Sequence, residues 1–278
     1  MSDDISMVGG KANAVYSSTP WHRKGSVLNG SFTGSEALAG SQTGFEVSTV
    51  DIFTGDMAKI PSYKAVMRMD TRQVLGVVSP KYKPIQNKEL VEYADAICGT
   101  SKGYYDAAFA LGSGETVCYV LKLPEDMLVG QMKDRIEKYL VLTNTHDGTR
   151  AMRAFLNPFR IDCRNMLNAA LSAKAGEGVY IRHTGEIKEK VEESKRILTI
   201  ANQNFEKFAE AMNYLITKPM FSEIDPFFDH VFPLPKDEEI SANAAMKARL
   251  FVMKGISGEG RGLDHSEIRG TRYACFNS

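Results

Sequence analysis

Apolar and polar positions along the chain change period several times, and each change marks an expected element. Phe45 to Phe53, Ser62 to Met69 and Thr71 to Val78 alternate or are rich in β-branched residues, the pattern of a small antiparallel set of strands. Asn87 to Cys98 switches to a helical period, with Leu90, Tyr93, Ala94 and Ile97 on one face. Four further strand patterns follow: Tyr104 to Leu111, Glu115 to Leu123, Lys138 to Asn144 and Thr149 to Ile161. Turn residues Gly112, Gly114, Pro124 and Gly148 separate them, which predicts a meander. Arg164 to Lys174 then returns to a helical face through Leu167, Ala170 and Leu171. The order of helix, strands and helix predicts an α+β fold: an antiparallel meander flanked by helices, with one long helix after the sheet.

That long helix has the most regular pattern of all. Apolar or small residues at Ile187, Val191, Ser194, Leu198, Ala201, Phe205, Phe208, Met212 and Leu215 alternate steps of four and three. Thr184 is placed to cap its start and Pro219 follows its end, so about 30 residues and roughly 45 Å of helix are expected. Its seam requires a partner surface, in the same chain or in another subunit. The chain accordingly divides into an extended N-terminal arm (1–50) contributing little core, an α+β core (51–183), the long helix (184–221) and a last segment (222–278). In that segment Pro226, Pro233 and Pro235, with many acids, read as a linker ahead of a helix and a Gly-rich end, Gly255 to Gly262.

Composition narrows the function classes. The 278 residues carry 34 basic and 34 acidic side chains, so no overall field attracts a polyanion or a membrane surface; any such partner needs a local patch. The four cysteines form no Cys-x-x-Cys pair, which excludes a disulfide framework and a zinc knuckle. The first ten residues contain no apolar run, and no segment is long enough to span a bilayer, so a cytoplasmic, non-membrane protein is expected. Walker-type, His-Glu-x-x-His, Gly-x-Ser-x-Gly and dinucleotide-binding glycine motifs are missing, so no cofactor and no ATP-driven chemistry is expected.

One local patch stands out. Lys138 to His183 holds seven basic residues against three acids, and Arg150, Arg153, Arg160, Arg164 and Arg182 are interleaved with Phe155, Phe159 and Tyr180. Guanidinium groups hold phosphates while rings stack on bases of any identity, so this run, with Asn165 and His183, is the candidate surface for single-stranded nucleic acid. The competing reading makes the rings core and the arginines a solvated face. A second candidate centre is His146, Asp147, Asp162 and His183, residue types that bind metal or move protons; Thr145 to Gly148 equally reads as an ordinary turn.

Several segments together resemble the phage and plasmid-related family known as domain of unknown function 932. They are Tyr16 to Gly25 with its Pro20-Trp21-His22 core, Arg68 and Asp70, Val74 to Val78, Tyr82 to Asn87, Thr143 to Gly148, Cys163-Arg164-Asn165 and Arg182-His183-Thr184. Gly270 to Ser278 resembles the beginning of a further family motif. The resemblance implies a mobile-element origin among DNA-handling genes, with no established activity. The element order is also similar to that of single-strand annealing recombinases, an analogy of topology only. The expected function is therefore non-enzymatic binding of single-stranded DNA by a homo-oligomeric ring or filament that assists recombination. The alternatives are a metal-assisted enzyme acting on nucleic acid and a structural or host-interaction protein.

Overall fold

The computed structural model describes residues 4–131, 134–173, 179–181, 187–220, 224–234, 241–257 and 269–276. The chain is α+β. Its elements begin with β1 (Met7–Val8), β2 (Lys11–Ala12), β3 (Ala14–Tyr16), β4 (Ser26–Val27) and α1 (Gly34–Ser41). Then come β5 (Val47–Phe53), β6 (Lys59–Arg68), β7 (Val74–Val78), α2 (Asn87–Ser101), β8 (Tyr104–Leu111) and β9 (Thr116–Lys122). The chain continues with β10 (Met127–Val129), β11 (Asp134–Ile136), β12 (Tyr139–Thr145), β13 (Arg153–Asn157), α3 (Arg164–Ala173) and β14 (Val179–Tyr180). The long helix α4 (Ile187–Ile216), α5 (Ile224–Val231), α6 (Ser241–Ile256) and α7 (Arg272–Phe276) complete it.

Two compact units are present: residues 1–126 with 137–203, and residues 127–136 with 204–278. The first is built on a seven-stranded sheet in the order β14-β13-β12-β9-β8-β3-β4, in which the meander β8-β9-β12-β13 is antiparallel throughout. One face of that sheet packs Tyr16, Phe109, Val120, Val141 and Phe155 against Leu167 and Leu171 of α3. The other meets α1 and α2, where Leu90, Tyr93, Ala94 and Ile97 are fully buried. In the second unit, Met212 of α4 and Tyr273 of α7 pack on Met127 and Val129, while α5 and α6 close a separate cluster around Phe228 and Ile256.

Two expectations need correction. The N-terminal arm is no appendage: Ala14, Val15 and Tyr16 are fully buried, and β3 pairs with β8 inside the sheet. Pro226 does not prevent a helix, because it falls in the first turn of α5, where a missing N–H breaks no intrahelical bond. Of the two partners left open for the seam of α4, the same chain supplies one: Ser194, Leu198, Ala201, Phe205 and Met212 are all buried, and Ser194 Oγ donates to its own helix at Lys190. Thr184, proposed as the cap of this helix, lies outside the described residues, as does the Gly-rich stretch from Gly258.

A three-stranded sheet, β5-β6-β7, is held to the seven-stranded one by interlocking glycines. Gly76 in β7 lies so close to the β12–β13 connection that a Cβ there would meet Asp147 Cα at 2.6 Å and the Asp147 carbonyl at 2.8 Å. Gly148, with φ +79°, turns the same connection back beside Val78, whose Cγ1 would lie 2.8 Å from an added Cβ. Because Gly76 faces backbone rather than a flexible side chain, Gly76→Val should destabilise the protein by about 1–3 kcal/mol through overpacking. The urea midpoint of unfolding measures this, and an unchanged midpoint would show that the two sheets do not depend on the close approach.

Candidate functional site

The residues expected to share one cationic track have different fates. Arg164, at the start of α3, is ion-paired with Asp4 and donates from Nη2 to Glu115 Oε1 at 2.7 Å. Arg160 donates from Nη1 to Ser18 Oγ at 2.6 Å, and its Nε and Nη2 lie 3.8 and 3.7 Å from carboxylate oxygens of Asp106 and Asp162. Both guanidinium groups are thus engaged by internal carboxylates. Phe155 is only 9% exposed and belongs to the core under α3, so it is not available to stack on a base. Asn165 and Phe159 are exposed; Arg182 and His183 lie outside the described residues.

The remaining arginines stand together at the edge of the sheet. Arg153 opens β13, opposite Thr143 on one side and Tyr180 of β14 on the other. Tyr180 is 63% exposed. Arg150 is exposed just before the strand, near enough that its charge, after the larger effect of burial, lowers the pKa of Arg153. Among the described residues neither Arg150 nor Arg153 has a carboxylate partner, and Arg153 Nε is buried without a hydrogen bond. Arg196 of α4, paired with Glu193, donates to the Tyr180 carbonyl at 3.0 Å and so ties the edge strand to the helix. Cys118, also on the face that carries Arg153, is inert: burial pushes its thiol up to about 12.

His146 and Asp147 have structural duties. Asp147 Oδ1 accepts from the Thr149 amide and hydroxyl at 2.8 and 2.6 Å, the self-bonding expected of an Asp in a turn. His146 is fully buried, with Nε2 2.8 Å from Asn87 Oδ1 and its ring edge-on to Phe45. Among the described residues no group of three or more His, Cys, Asp or Glu side chains converges as a metal site.

The cluster that sequence spacing alone did not assemble surrounds the Pro20-Trp21-His22 motif. His22 Nδ1 accepts from the Lys24 amide at 3.1 Å, which makes Nε2 the N–H that faces the Asp162 carbonyl at 2.9 Å. Tyr16 donates to the same carbonyl at 3.2 Å. Burial raises the pKa of Asp162 against the opposing effects of Arg160, His22 and Trp21. It raises that of Asp106 against Ser17 and Arg160. A lone Trp-His pair in a Ser/Thr/Gly-rich segment was the available signal. Its partners, Asp106 and Asp162, are far along the chain.

A family profile described as a domain of unknown function, DUF932, matches residues 74–278. The chain belongs to the DUF932 family. The matched region starts at Val74 in β7, so it contains the interlocked Gly76, the buried His146 and both halves of the Arg153 edge, while Trp21, His22 and Arg68 precede it. No curated protein matches the chain, and no solved structure does. No helix among the described residues of this DUF932 protein is long and apolar enough to cross a membrane.

The buried imidazole makes stability depend on pH. Loss of hydration lowers the His146 pKa to about 4, below the ordinary histidine value near 6.5. The unfolded chain therefore takes up the proton first, so His146 contributes fully above about pH 6.5, and stability falls as the pH drops from there toward 4. The loss is on the order of 3 kcal/mol. Urea unfolding between these pH values should show this slope in the native protein and a flatter one in His146→Gln; equal slopes would contradict the assignment.

Proposed function

We propose that this protein binds single-stranded nucleic acid along the β13–β14 edge, with Arg150 and Arg153 taking successive phosphates and Tyr180 stacking on a base. The observation that carries this reading is the pair of like-charged guanidinium groups with no described carboxylate between them, beside an exposed ring. Two neighbouring cations at the sheet edge attract anionic oxygen. The edge strand adds the flat aromatic surface that sequence-tolerant strand binding uses. Phe159, exposed two residues beyond the far end of β13, supplies a second ring farther along the chain.

The footprint is narrower than the basic run in the sequence, because Arg160 and Arg164 already have anionic partners and Phe155 is core. A DNA-annealing role in a phage or other mobile element, by a homo-oligomer, is the biological setting that fits such binding. The neutral chain and small patch make it a weak, salt-sensitive interaction.

Anisotropy of a labelled oligothymidylate titrated with protein at several salt concentrations tests the reading. Each arginine-to-alanine change at 150 or 153 should reduce the slope of log affinity against log salt by about 0.7. Tyr180→Ala should cost about 1–3 kcal/mol with the slope unchanged. Absence of binding by the native protein at low salt would reject the proposal.

A further inference from the structure

We infer that Trp21 is a further stacking platform for the strand and Arg23 its phosphate contact, so that the surface proposed at the β13–β14 edge extends to the Pro20-Trp21-His22 turn. This rests on the reading of the protein as a binder of single-stranded nucleic acid. The turn is anchored. Pro20 is buried, and its carbonyl accepts from the Arg23 amide at 3.1 Å. His22 accepts from the Lys24 amide at 3.1 Å and faces the Asp162 carbonyl at 2.9 Å. Gly25, with φ +95°, brings the backbone so close to β3 that an added Cβ would lie 2.8 Å from the Ala14 carbonyl oxygen. On this fixed turn Trp21 is 56% exposed, although an indole is among the side chains that gain most from burial. A ring held outward in this way meets a base without first losing the freedom of a mobile loop.

Arg23 has φ +56°, the left-handed conformation that glycine or asparagine adopts with less strain. The turn alone would be served better by one of those residues. A guanidinium stands there instead, exposed, and among the described residues no carboxylate pairs with it. A flat ring beside a cation matches a base and its phosphate. The position fits as well. Arg160 Nη1 donates to Ser18 Oγ at 2.6 Å and His22 reaches Asp162, so the turn lies alongside residues 159–162. Exposed Phe159 belongs to that segment, which continues directly from β13, whose first residue is Arg153. A strand leaving the edge past Phe159 would come to the Trp21 turn. A membrane surface or a protein partner would require a broader apolar area than one ring among Ser17, Ser18, Arg23 and Lys24.

Trp21 is the only tryptophan of the chain, so its fluorescence reports on this turn alone. Oligothymidylate added to the full-length protein, at concentrations where the anisotropy of a labelled copy shows binding, should quench Trp21 emission and shield it from acrylamide. Trp21→Leu should weaken binding about fivefold or more with the salt slope unchanged, and Trp21→Tyr, which restores a ring, should recover most of it. Arg23→Ala should lower the slope of log affinity against log salt by about 0.7. The inference is overturned if the native protein binds the oligonucleotide with Trp21 emission unchanged and Trp21→Leu binds as tightly; the β13–β14 edge then stands without it. Loss of binding in Trp21→Leu but not in Tyr180→Ala or Arg153→Ala would support the turn and reject the edge. A native protein that binds no oligonucleotide at low salt rejects both.

Discussion

The first unit depends on a charge that has been taken almost completely out of water. Arg68 is 1% exposed, and its guanidinium cannot discard its proton, so its surroundings must satisfy it. Asp70 does so bidentately, at 2.7 and 3.0 Å, which in turn holds the Asp70 carboxyl below its usual pKa. Phe45 lies against its face at 3.8 Å, and the Ser113 carbonyl accepts from Nη1 at 3.3 Å. These partners come from the end of β6, the start of β5 and the β8–β9 turn, so satisfying one cation joins the small sheet to the large one. Asp70 itself is about half exposed, so the buried member of the pair is the guanidinium, and removing Asp70 leaves that charge without its carboxylate.

From that joint the order of contacts leads to the candidate edge. Phe45 continues into the ring of His146, His146 into Asn87 at the start of α2, and the residue after His146 lies against Gly76. The β12–β13 connection is therefore clamped from two sides just before the chain reaches Arg150 and Arg153. A site on a loop gains precision only when a rigid scaffold holds that loop. Here residues that suggested metal or proton chemistry, His146 and Asp147, act as scaffold for side chains downstream.

The meander and the long helix were legible because their information is local: alternation or a heptad-like step within each element, and glycine or proline between them. The N-terminal strand was not. Three apolar residues, Ala14 to Tyr16, are too few to carry a period, and their partner β8 lies far along the chain, so only the tertiary pairing reveals that they are core. Helix α5 was hidden for a different reason, since a proline count ignores position and Pro226 occupies one of the few helical positions that tolerates it. The arginine run shows the limit most clearly. Counting charges between residues 138 and 183 gave an excess of cations, but the anions that neutralise Arg160 and Arg164 include Asp4, Asp106 and Glu115, all outside that window.

A chain with equal numbers of acids and bases has no net charge to offer, so its electrostatic function lies in where pairing is incomplete. Around β13 the two ends of the strand differ in this respect. At the start of the strand Arg150 and Arg153 are cations lacking described counterions; beyond its end Arg160 is paired with both Asp106 and Asp162. Folding alone does not favour either arrangement: burial lowers the pKa of Arg153 and raises those of both aspartates, so each charged form is held against its own preference. An arginine left without a described carboxylate at a sheet edge is the feature on which the proposed binding of anionic oxygen rests.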